Sequence, residues 1–121
     1  MPTTSSLNFP IGKLHLKKYY SKEETERNIQ VISALPSKLI NLAGGWNTTQ
    51  LATPYRPSGW TAKQLIHHLA DSHANAYLRT KLALTEDAPT IRPYLQDRWA
   101  ELADSEITPI EVSLQLLKYL H

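Results

Sequence analysis

The sequence predicts an all-α fold, an antiparallel helical bundle, and three observations carry that prediction. Helix-start signatures recur at "SKEE", "TAKQ" and "TPIE". The segments that follow them carry apolar residues at helical spacing. No stretch alternates apolar and polar residues as a half-buried strand would. A chain of 121 residues suits a single domain, 1–121.

The elements follow in order. Residues 1–20 read as an extended N-terminal arm. Ser21 and Glu24 form a capping box, in which the hydroxyl accepts from the N–H three residues on and the carboxylate reaches back. The helix they start runs from Ser21 to about Ala43, with Ile29, Ile32, Leu35, Leu39 and Leu42 as its apolar stripe. Pro36 lacks an N–H and is expected to kink or split it. "GGWNTTQLATPYRPSG" is a connector rich in breakers. Thr61 and Gln64 cap a second helix that runs to Leu84. "TEDAPTIRPYLQ" is a loop, and "DRWAEL" a short helical turn. Thr108 is expected to cap the last helix, with Pro109 in its first position and Glu111 closing the box. That helix carries Ile110, Leu114, Leu117 and Leu120.

Composition excludes several functions. Hydrophobic residues make up 41%, enough for a core, and net charge is only +2. With no Lys/Arg run there is no phosphate-binding patch, so no nucleic-acid partner is expected. The absence of cysteine removes disulfides, thiolate ligands and a cysteine nucleophile. The N-terminal twenty residues hold no long apolar stretch, so neither a signal peptide nor membrane association is expected and a cytoplasmic protein is the default. A Gly-rich phosphate loop and a Gly-x-Ser-x-Gly elbow are also missing.

The chemistry that remains lies in "QLIHHLADSHANAYLR", which holds three of five histidines. On a helical wheel Ala62, Leu65, Leu69, Ala76 and Ala83 form the core face. Lys63, His67, Asp71, Ala74 and Lys81 lie largely opposite, which sends His67 to solvent. His68, Ser72, Asn75 and Arg79 make a polar stripe beside the core face, and His73 falls near the apolar centre. His68 is thus either a hydrogen-bonded boundary residue or a metal ligand facing a groove lined by Ser72, Asn75 and Arg79. A neutral imidazole suits zinc or nickel, but one inward histidine is not a site.

"NFPIGK", "TPYRPSGWTAKQLIHHLADSHANAYLRTKLALTEDAPTIRPY" and "WAELADSEITPIEVSLQLLKYLH" resemble the YfiT-like group of the DinB superfamily, from about Asn8 to His121. That resemblance implies a four-helix bundle with zinc or nickel held by three histidines. One ligand comes from the "HHLAD" helix and maps to His68, with His67 the alternative one position away. The other two come from a His-x-x-x-His pair on a later helix. Members are described as metal-dependent hydrolases, and relatives are thiol S-transferases using bacillithiol, mycothiol or glutathione. Family members extend past the equivalent of His121, so the chain reads as a family bundle lacking its last helix. His121 matches a histidine that is not a ligand in the family.

Two functional readings follow. One is a metal-dependent hydrolase or thiol S-transferase acting on a small molecule, a low-molecular-weight thiol in the transferase case. In it Arg79, Arg92 and Arg98 hold an anionic substrate. The other is a catalytically inactive bundle serving as a binding or self-assembly module. A homodimer is expected in either case, because the apolar face is too wide for a lone three-helix unit to cover.

Overall fold

The computed structural model describes residues 7–121. Six helices lie wholly within the described residues: α1 (Lys22–Ala43), α2 (Thr48–Leu51), α3 (Ala62–Thr85), α4 (Gln96–Ala100), α5 (Ala103–Ile107) and α6 (Ile110–Leu120). Residues 12–20 carry no helix or strand and are exposed. A Lys17–Glu24 ion pair ties them to the start of α1.

Two of the three expected caps form as full boxes. The Ser21 hydroxyl accepts from Glu24 N at 3.1 Å and Glu24 reaches back to Ser21 N at 2.9 Å. Thr61 and Gln64 repeat this at α3, at 3.1 and 3.0 Å. Gln64 does more than cap, because its Nε2 donates to Ala100 O at 2.9 Å and anchors the start of α3 to α4. The third box does not form. Pro109, not Thr108, caps α6, with no side-chain hydrogen bond. Thr108 instead closes α5, its N–H donating to Asp104 O at 3.0 Å. A helix ending at Ile107 leaves Thr108 committed to that end and unable to start the next.

Pro36 neither splits nor ends α1, which is continuous from Lys22 to Ala43. The proline is itself buried, so packing offsets its missing hydrogen bond.

α3 and α6 make the most extensive contact among the described helices. They run in the same direction. His67 meets Ser113 and, six residues later on α3, His73 meets His121. The connector with α4 and α5 carries the chain back to make this parallel pair possible. α1 ends where both helices begin, and Ala43, Ile66, Ile110 and Leu114 form one buried cluster edged by Leu39, Ile40, Trp46 and Leu51.

This packing turns α3 away from the face the wheel chose. Its buried residues are Ile66, His67 and Ala70. Leu65 and Leu69 are only half-buried, and Ala76 and Ala83 are exposed. The hydropathy of an imidazole misplaces the seam, because a ring with both nitrogens paired can be buried at small cost.

Asp71 shares this seam and is half-buried. Burial, and then the Asp104 carboxylate on α5, pushes the pKa of its carboxyl above the usual carboxylate value. A raised carboxylate favours folding below the unfolded value and penalises it as pH rises through the folded one. Asp71→Asn should therefore raise the melting temperature at pH 7 and leave it unchanged near pH 3, a comparison that differential scanning calorimetry makes directly.

Candidate metal centre

The adjacent histidines of α3 occupy opposite chemical situations. His67 is 5% exposed. Its Nε2 lies 3.1 Å from Thr108 O, and its Nδ1 lies 2.7 Å from Ser113 Oγ. A carbonyl only accepts, so Nε2 carries the proton and donates to it. Nδ1 then accepts from the Ser113 hydroxyl. Burial holds the ring below the usual imidazole range, opposed by the Thr108 carbonyl. Both nitrogens are engaged on the α3–α6 seam. This corrects the expectation of a solvent-facing side chain.

His68 is half-buried, and its ring packs against Trp60 with centroids 4.7 Å apart. Among the described residues no protein hydrogen bond engages it, and no fully buried side-chain nitrogen or oxygen is left without a partner. Burial lowers its pKa, with the Asp97 carboxylate pulling the other way. A neutral ring with an uncommitted lone pair is the form a divalent ion needs.

The rest of the polar stripe is partly assembled. Asn75 Nδ2 donates to Asp71 O at 2.9 Å, a local bond back along the helix. Arg79 donates to Arg92 O at 2.8 Å and lies 6.0 Å over the Tyr94 ring. These contacts fold the 92–99 segment against α3. Asn75, Arg92, Tyr94, Arg98 and Trp99 line a groove of about 530 Å³ between them. Ser72 is half-buried beside His68. The sequence holds no His-x-x-x-His pair, and among the described residues no group of three His, Asp or Glu side chains could hold an ion. His68 fits as one donor, and the described residues do not complete its shell.

The sequence pattern of the DinB superfamily matches residues 32–121. The chain belongs to the DinB superfamily. It is 46% identical over 119 residues to YfiT of Bacillus subtilis (strain 168), named as a proposed metal-dependent hydrolase, with 98% of this chain and 67% of YfiT covered. A Bacillus cereus (strain AH820) relative with a name of the same class is 46% identical over 117 residues, covering 97% of this chain and 67% of its own length. A solved structure of B. subtilis YfiT, described as a probable metal-dependent hydrolase with an unusual four-helix bundle topology, superposes with a TM-score of 0.91. That superposition covers 96% of this chain and 66% of YfiT, at 46% identity. The chain thus spans about two thirds of the length of these relatives.

The resemblance expected from "GWT", "HHLADSH" and "PTIRPY" is the one found, and the helical class with it. Missing from the sequence reading was the role of Ser113 and Thr108. Their signal was faint, a hydroxyl and a carbonyl on a different element from the histidine they satisfy.

Proposed function

We propose that this DinB-superfamily chain contributes His68 to a divalent metal centre, zinc or nickel, that serves hydrolysis of a small anionic substrate. The observation that carries the reading is the contrast between His68, uncommitted and neutral, and His67, locked between Ser113 and Thr108. The names of the relatives support a metal-dependent hydrolase. When bound, such an ion would lower the pKa of a coordinated water to near neutrality and so provide a nucleophile. The chain's own residues do the remaining work. Trp60 fixes the plane of the His68 ring. Asp97 lies close enough to pull its charge balance, and Arg98 on the groove wall supplies positive charge for a substrate anion.

A screen of chromogenic carboxylic and phosphate esters tests this. Turnover should fall on chelation, return with Zn²⁺ or Ni²⁺, and drop at least about a hundredfold in His68→Ala. Turnover indifferent to chelation, or seen only when a thiol co-substrate is added, would overturn the hydrolase reading.

The same reading includes self-association as a two-fold dimer. Val112, Leu116 and Tyr119 form a row at i, i+4 and i+7 on α6 that stays exposed, and Ile29 and Ile32 are exposed on α1. Light scattering should give twice the chain mass at micromolar concentration, and a Tyr119→Lys substitution should halve it. A monomeric wild-type protein would remove this part of the proposal.

A further inference from the structure

A second pair of histidines lies outside the site just described. His73 of α3 and His121, at the end of α6, face each other with Nδ1 and Nε2 3.0 Å apart. Their ring centres are 4.8 Å apart and the planes differ by 32°. His121 Nδ1 lies 2.7 Å from Leu117 O, one turn back. Since a carbonyl only accepts, this nitrogen carries the proton, and Nε2 presents a lone pair towards His73. A ring N–H held by a backbone carbonyl, with the opposite nitrogen bare, is the arrangement in which histidines ligate metals.

The spacing is also telling. Two imidazoles pointing end to end across a straight N–H···N bond would put their ring centres about 5.3 Å apart. Two imidazoles in adjacent positions on one ion, with N–metal bonds of about 2.1 Å, place the nitrogens about 3.0 Å and the ring centres about 4.6 Å apart. The observed 3.0 and 4.8 Å fall nearer the second geometry. The close approach of the nitrogens suits the near-right angles of octahedral or tetragonal ions better than tetrahedral zinc.

The geometry points to a second, two-histidine chelate at His73 and His121 that takes a single divalent ion of the nickel or copper class, the remaining positions being filled by water. It uses neither His67 nor His68 and is independent of the proposed hydrolytic centre. Binding requires His73 to change tautomer, the Nδ1 proton leaving to solvent while Nε2 takes one up, so the pair's net charge is unchanged. His73 is half-buried and its pKa is lowered, first by burial and then by His121 and His68, which keeps that ring neutral and available.

The test uses protein carrying His68→Ala, so that the first centre cannot contribute. Calorimetric titration with Ni²⁺ should give one ion per chain. Adding either His73→Ala or His121→Gln should weaken that binding at least about tenfold, with circular dichroism confirming that each variant folds. In wild-type protein, ¹⁵N spectra should show the His73 and His121 ring nitrogens shifting together as Zn²⁺ is added. Absence of Ni²⁺ binding once His68 is removed would overturn the proposal while leaving the His68 reading intact. Binding that survives both further substitutions would overturn it as well.

Discussion

Leu117→Ala should cost about 2–5 kcal/mol of unfolding free energy, a large share of the stability of a domain this size. Leu117 is 1% exposed and is the largest side chain to be fully buried among the described residues. Truncation removes the transfer free energy of its methyl groups and leaves a cavity beside the α3–α6 seam. Because the seam is the most extensive contact between elements, few neighbours are free to collapse into the space. Urea titration measures this directly. The midpoint should fall with the slope unchanged, and a shift of less than half a kcal/mol would mean that α6 is not packed as described.

His67→Ala should follow at about 2–4 kcal/mol, although histidine is a polar residue. The substitution leaves Ser113 Oγ and the Thr108 carbonyl without the ring that satisfies both. An unpaired buried acceptor costs more than the net worth of the bond it has lost. A double-mutant cycle separates this cost from lost volume. Ser113→Ala should be less costly in the His67→Ala background than in the wild type, since the bond is already gone. Additive effects would show that the 2.7 Å contact contributes nothing.

These two residues mark the limit of what the sequence makes legible. Leu117 is readable, because α6 carries apolar residues on one face and the structure buries Ile110, Leu114 and Leu117. The helix starts at Ser21 and Thr61 are readable for a local reason, since a cap and its partner are three residues apart. A further box at Asn47 and Gln50, which starts the one-turn helix α2, carries the same signal inside a segment whose glycines and prolines suggest only a loop. His67 is not readable. Its burial depends on partners 41 and 46 residues away, and a wheel scores only hydropathy along one helix. The split expected at Pro36 fails for a related reason, since only tertiary packing shows that a helix continues through it.

The same distinction governs the candidate site. His68 can be chosen from the helical wheel and from the resemblance to the DinB superfamily, yet the reason for preferring it over His67 is tertiary. Among the described residues one ring is committed at both nitrogens and the other is committed at neither.

Long-range ¹H–¹⁵N spectra of the histidine rings, recorded with and without Zn²⁺, test that distinction most directly. His67 should be held as the Nε2–H tautomer and remain unmoved by the ion, while a His68 nitrogen shifts on its addition. A His67 ring that shifts or exchanges tautomers on adding Zn²⁺, beside an unchanged His68, would contradict the account.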